Sequence, residues 1–228
     1  MRKLPLLPER PFLGPLKTLD SARTSFGVNR HGQLVLTIQH EAIRGVTPEM
    51  LRWWFETLGQ TVKLDGRDYP RYLLWHPRDH IHWELARKAP NGGTGQGAYF
   101  RIVEAFGANP AYYVDSTEYV EKLDEGGLSL ARTIAGVEIF RLEHRFTRVQ
   151  NGTQYDSRMV VGASTPMVGR IFNNFIRPLF LSNEGARAWL RHNIEEVGMF
   201  EHLLPPLYAQ RGQSAELSLQ PSDSSVQA

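Results

Sequence analysis

Apolar and polar positions alternate through the middle of the chain. Leu34-Val35-Leu36-Thr37-Ile38 predicts a short strand. Residues 70–160 read mainly as strands, over 72–75, 99–106, 127–134, 137–149 and 154–161. Asn151-Gly152 is the strongest hairpin signal and joins the last two. Thr47-Pro48-Glu49 opens a helix, because Thr accepts from free N–H groups, Pro suits the first turn and Glu complements the dipole. That helix runs from Pro48 to Leu58 and should stop at Gly59. From residue 165 the period becomes helical. Ile171, Phe172, Phe175 and Ile176 mark one helix, Pro178 interrupts it, and Ser182 or Asn183 can cap a second that reaches about Leu203.

The flanks differ from this core. Residues 1–33 begin rich in proline and read as an extended arm, and residues 34–208 are expected to form the folded domain. The tail, 209–228, is Ser/Gln-rich and is expected to be disordered. A helix, an antiparallel strand run and a long broken C-terminal helix, in that order, give an α+β fold. A curved sheet wrapped on the last helix satisfies it and leaves a cavity between the two.

Composition narrows the chemistry. Of 228 residues, 41% are hydrophobic and 22% charged, enough for one substantial core. With Lys+Arg 26 and Asp+Glu 24 the net charge is +2, and no window clusters basic residues, so no nucleic-acid partner is expected. No apolar run approaches the roughly 20 residues that span a bilayer. The basic N-terminus breaks on Pro5 and Pro8, a poor signal peptide, so a cytoplasmic location is the default expectation. There are no cysteines and eight histidines, which excludes disulfides, thiolate metal sites and a cysteine nucleophile. A tightly held metal would need nitrogen and oxygen ligands.

Four places could supply them or act beside them. His192 and Glu196 share one helical face, with Trp189 and Phe200 near it, and suggest an inward ligand pair. An exposed hydrogen-bonded pair is the simpler alternative. Alternation puts Glu104 among Phe100, Ile102 and Phe106, where a carboxylate needs a cation beside it: a metal, or an arginine such as Arg158. His76, His80 and His82 lie within seven residues, and His80 with His82 has the spacing of a cupin-type pair. His144 falls in the core-facing row of Phe140, Leu142 and Phe146, on the strand paired to that of Tyr155. Desolvated near a metal, it could move protons. Asn91–Gly97 is a flexible loop without the Lys-Ser/Thr of a phosphate loop, and no Gly-x-Ser-x-Gly or His-Glu-x-x-His occurs.

Several of these stretches resemble the diacetylphloroglucinol hydrolase and phloretin hydrolase family. They are Gly45-Val46-Thr47-Pro48-Glu49-Met50 with Trp53-Trp54-Phe55, Tyr72-Leu73-Leu74-Trp75-His76-Pro77-Arg78-Asp79-His80, the run to Glu104, and Arg191-His192-Asn193-Ile194-Glu195-Glu196-Val197-Gly198 with Leu204-Pro205. The resemblance covers about residues 34–208. It implies a Bet v 1-like helix-grip domain holding a zinc ion and cleaving the carbon–carbon bond between an acyl group and a polyhydroxylated ring. By resemblance the ligands are His80 (with His76 as the alternative), Glu104, His192 and Glu196, with Glu195 facing elsewhere. His144 is the catalytic histidine, and Tyr72 and Tyr155 contact the substrate. The partner expected is therefore a small acylated phenol, and a homodimer stays open as the assembly. Two other classes compete: a non-catalytic helix-grip carrier of aromatic ligands, and a cupin-like site built on His80 and His82.

Overall fold

The computed structural model describes residues 3–163, 165, 169, 173, 181–213 and 216–218. In chain order it forms strands β1 (Ala22–Val28), β2 (Leu34–His40) and β3 (Ile43–Arg44), then helix α1 (Pro48–Glu56). A small hairpin follows, β4 (Thr61–Leu64) and β5 (Arg67–Pro70), and a short helix α2 (Arg71–Trp75). The long strands are β6 (His80–Arg87), β7 (Tyr99–Ala105), β8 (Tyr113–Asp124), β9 (Gly127–Ile134), β10 (Val137–Val149) and β11 (Gly152–Val161). Helix α3 (Asn183–Ala209) and strand β12 (Glu216–Leu217) complete it. The main sheet runs β1-β2-β11-β10-β9-β8-β7-β6 with β3 beside β11. All its pairings are antiparallel. It curves around α3, the helix-grip arrangement.

Local chemistry explains most of the elements. Thr47 caps α1 by accepting from Met50 N–H, and Leu51, Trp54 and Phe55 turn inward. The helix closes at Thr57, before the expected Gly59, because Thr57 Oγ1 bonds back to the Trp53 carbonyl at 2.7 Å. Gly59 instead makes room for Trp83, whose ring lies 2.7 Å from where a Cβ would stand. Ser182 caps α3 through Gly185 N–H, and the helix passes the expected end at Leu203 to reach Ala209, with Pro205 and Pro206 inside it. At ~1.5 Å per residue, 27 residues make a rod of about 40 Å.

Two expectations need correction. Tyr72–Trp75 is helical, not extended. Four apolar residues cannot distinguish the two states by period, and here Pro70 opens a turn that buries Tyr72, Leu74 and Trp75 together. The sheet also begins inside the stretch read as an arm, since β1 pairs with β2 along its whole length. The Asn151-Gly152 hairpin forms, but Gly152 is already in β11. Its φ of 157° and a Cβ position 1.9 Å from the Ile43 carbonyl leave room for glycine only, where β3 closes against the strand. The helix placed on Ile171, Phe172, Phe175 and Ile176, with its break at Pro178, lies outside the described residues, as does most of the tail. Glu216–Leu217 of that tail pairs in parallel with β4.

Two apolar clusters bracket one segment of α3. One joins Trp189, Leu190 and Ile194 to Leu34, Leu36 and Phe106. The other joins Val197, Phe200 and Leu203 to Trp54, Trp75 and Tyr155. Trp54 is fully buried, and its truncation would cost about 3–5 kcal/mol. Between the clusters lie His192, Asn193 and Glu196, all buried and polar.

Candidate metal centre and cavity

Four side chains converge at that segment. His80 is the first residue of β6, and its register partner is Glu104, near the end of β7. His192 and Glu196 project from successive turns of α3. His80 Nε2 lies 3.4 Å from Glu104 Oε1 and 3.4 Å from Glu196 Oε2. His192 Nε2 lies 3.7 Å from Glu104 Oε2 and 3.8 Å from Glu196 Oε2.

The hydrogen bonds around these groups say which atoms are free. His80 Nδ1 donates to the Tyr72 carbonyl at 2.7 Å, so its Nε2 carries the lone pair. That Nε2 is buried and has no hydrogen-bond partner among the described residues. His192 Nδ1 donates to Asp79 Oδ2 at 3.0 Å, which aims Nε2 at the two glutamates. Asn193 Nδ2 donates to Glu196 Oε1 at 2.6 Å, and the Tyr72 hydroxyl donates to Glu104 Oε1. Both carboxylates are thus oriented from outside the cluster. At metal–ligand bonds of about 2.0–2.1 Å, donors at tetrahedral corners stand about 3.3–3.4 Å apart. The measured spacings, 3.4–3.8 Å, fit a metal ion after a small contraction. His80, Glu104 and His192 form one candidate metal group, with a second made by His76, Asp79 and His192.

The second group is less suited to a cation. His76 Nδ1 accepts from Asp79 N–H at 3.2 Å, so Nε2 carries the proton and donates to Glu195 at 3.1 Å. Both ring nitrogens are engaged, whereas His80 keeps one free. Glu195 faces away from the cluster, toward Arg78, His76 and Arg191. His82 does not join. Its side chain is 37% exposed and pairs with Glu84, while Glu196 is buried, which contradicts the cupin-like alternative. The β-bulge between His80 and His82 undoes the shared face that simple alternation assigns them. Arg158 is not the partner of Glu104 either; it pairs with Glu143 in solvent.

Electrostatics show how much the cluster favours positive charge. Burial alone would lower the His192 pKa, yet Glu104, Asp79 and Glu196 raise it to about 9. Burial raises the Glu196 carboxyl, partly opposed by His192 and His76. Burial lowers His80 to about 3. Asp79, within the Tyr72–His80 stretch that resembles the family, orients the site from behind. Burial pushes its carboxyl up, but the His192 hydrogen bond and the charges of His192 and His76 outweigh that and hold it far below the usual range. Its signal was an aspartate directly before a buried histidine. Arg10 is the other missed residue. From the arm it donates to the His80 carbonyl at 2.6 Å and the Leu73 carbonyl at 3.3 Å, tying the α2–β6 connection down.

Glu104, Glu196, His192 and Tyr72 open onto a cavity of about 430 Å³ between sheet and helix. Its walls are largely apolar, with Trp75, Phe100, Phe140 and Leu142 among them. His144 reaches the same cavity from β10, and its Nδ1 pairs with Ser157 Oγ at 2.9 Å. Burial and the nearby His40 lower its pKa to about 3, so it stands neutral. Tyr72 stacks on His80 with ring centroids 3.9 Å apart. Tyr155 lies behind His144, rings 5.0 Å apart, and does not line the cavity. Its buried hydroxyl has no partner among the described residues.

A curved antiparallel sheet gripping a helix, with a buried nitrogen–oxygen donor cluster beside an apolar-walled cavity, defines a helix-grip fold. Residues 17–209 match the family described as the DAPG hydrolase PhiG domain, and the chain belongs to that family. It is 25% identical to phloretin hydrolase of Eubacterium ramulus over 212 residues, covering 84% of this chain and 73% of that one. Among solved structures, Ara h 8.0201 matches at 11% identity and TM-score 0.38, over 70% of this chain and 97% of that one. KanY matches at 9% identity and TM-score 0.43, over 82% and 97% respectively. No helix among the described residues is long and apolar enough to cross a membrane.

Proposed function

We propose that the protein is a zinc-dependent hydrolase of acylated phenols. It would cleave the carbon–carbon bond between an acyl group and a polyhydroxylated aromatic ring, on substrates of the diacetylphloroglucinol or phloretin type. The observation that carries this is the convergence of His80, Glu104, His192 and Glu196, the last three lining an apolar cavity and His80 buried behind them. Family membership and the phloretin hydrolase relative support the reaction class.

His80, Glu104, His192 and Glu196 would hold a zinc ion, which when bound would supply Lewis-acid chemistry to polarise a carbonyl and lower the pKa of a water. The apolar walls exclude bulk water and stack on the ring. His144 is neutral on its own because it is buried. A phenolate oxygen brought into the cavity raises its proton affinity, so it can carry a proton to the ring carbon that bears the acyl group. That carbon becomes tetrahedral, and the fragment becomes equivalent to a β-diketone. Water adds its hydroxide to the acyl carbon, the carbon–carbon bond breaks, its electron pair returns to the ring, which rearomatises as a phenolate, and the proton released by the water passes to that phenolate oxygen. One water is consumed and one carboxylic acid released. Tyr72 and Asn193 keep the two carboxylates in place, and Tyr72 faces the substrate side of the cavity. Tyr155 packs behind His144 and fixes its ring.

The test is to incubate zinc-loaded protein with diacetylphloroglucinol or phloretin and measure acid release, with and without chelator. Turnover abolished by chelator is expected, with His144→Ala slower by about 10²–10⁴-fold. Tight, chelator-insensitive binding without turnover would make the protein a carrier instead.

A further inference from the structure

The cavity has a second polar end, away from the donor cluster. Glu118 projects into it from β8 and is only 4% exposed. Its Oε2 is buried without a hydrogen-bond partner among the described residues. Arg132 on β9 and Ser116 on β8 line the same end, and Arg132 Nη1 donates to Ser116 Oγ at 3.0 Å. Burial raises the Glu118 carboxyl to about 7, with Ser116 and Arg132 pulling the other way and Glu104 adding to the rise. Near neutrality it therefore spends part of its time protonated, able to donate and to accept. An unpaired buried carboxyl oxygen is costly, and no hydrogen bond among the described residues uses this one.

The register sets the separation of the two ends. Glu104 pairs with Val114 and Phe100 with Glu118, so four strand positions separate the donor cluster from Glu118. At ~3.3 Å per residue that is roughly 13 Å. An acetyl group held at the cluster would leave Glu118 unreached. In an extended 3-(4-hydroxyphenyl)propanoyl group, standard bond lengths put the phenolic oxygen about 8 Å from the carbonyl carbon. The carbonyl bond of about 1.2 Å with its oxygen's contact of about 2 Å to the cluster, and a hydrogen bond of about 2.8 Å at the hydroxyl, bring the span to about 14 Å.

We propose that Glu118, with Ser116 and Arg132, forms a distal subsite that hydrogen-bonds a hydroxyl at the far end of the substrate's acyl group. Acyl chains ending in a hydroxyaryl group are then preferred over short or unsubstituted ones. This rests on the aryl-ketone reading of the cavity. The test compares phloretin with the same molecule lacking the hydroxyl on its propanoyl-side ring. Binding to the full chain is followed by quenching of cavity tryptophans such as Trp75 and Trp189, and acid release is measured in parallel. The wild type should bind phloretin at least about tenfold more tightly than the analogue. In Glu118→Leu the ratio should fall toward one, and Glu118→Gln should keep part of it. A wild-type ratio near one, or a ratio that survives in folded Glu118→Leu, overturns the subsite. Should the leucine variant not fold, the wild-type ratio and the glutamine variant decide. A ratio above tenfold without acid release keeps the subsite and removes the hydrolase reading. Acid release with a ratio near one does the reverse.

Discussion

Asp79→Asn exposes how the donor cluster is held. The aspartate is 1% exposed and accepts four hydrogen bonds, two on each oxygen. Oδ2 accepts from His192 Nδ1 at 3.0 Å and Gly107 N at 2.8 Å. Oδ1 accepts from Arg78 Nε at 3.0 Å and Ala108 N at 3.1 Å. Asparagine is isosteric but replaces one oxygen by an NH₂ group, so whichever way it turns, two donors meet a donor. Two charge-assisted bonds are lost and their partners stay buried, at about 1.5–3 kcal/mol each. Breaking a buried charged network of this kind costs about 3–5 kcal/mol in total. Through the freed His192 ring, zinc affinity should fall by about 10–100-fold. Urea unfolding measures the first quantity and competition with a chromophoric chelator the second. A loss below about 1 kcal/mol together with unchanged zinc affinity would refute the anchoring role.

Three other outcomes follow from the same geometry. Glu118 has a folded pKa of about 7 against its ordinary 4.5, so the folded chain binds more protons between those values and loses stability as pH rises through them. Glu118→Gln should match the wild type near pH 4.5 and exceed it by about 3 kcal/mol at pH 8, and parallel urea profiles at both pH values would contradict this. Arg10→Ala leaves the His80 carbonyl without its charged donor and should cost about 2–3 kcal/mol in urea unfolding, an effect absent if the arm is only an appendage. His82→Ala removes a half-exposed residue paired to Glu84 and should leave metal content at the wild-type level. Loss of metal in that variant would restore the pairing of His80 with His82.

Much of the fold was legible because its signals were local. Alternation in Leu34–Ile38 and Phe140–Phe146, and the Thr47-Pro48-Glu49 cap, each specify one element by short-range chemistry. β8 was not, because its cavity-facing residues, Val114, Ser116 and Glu118, lack an apolar row. The hairpin β4–β5 turns on Asp65-Gly66, both at positive φ, and its strands are too short for alternation to mark them. In the site, the four donors could be named one at a time from face periodicity and family motif. The tie between His76 and His80 could not be resolved that way. It depends on which ring nitrogens are already occupied, and those partners, Tyr72 O, Asp79 N and Glu195, are set by the packed loop rather than by spacing. Asp79 and Arg10 stayed silent for the same reason, since their work is done through contacts across 113 and 70 positions of sequence.

The most direct test is the metal itself. Zinc content by mass spectrometry, with X-ray absorption at the zinc edge, should be measured on the wild type and on His192→Ala and Glu104→Ala. With no cysteine in the chain, the expected result is about one zinc per chain in the wild type. Its ligands should be only nitrogen and oxygen, at about 2.0–2.1 Å. Both variants should lose most of that zinc. Stoichiometric zinc that survives both substitutions would contradict a centre built on His80, Glu104, His192 and Glu196.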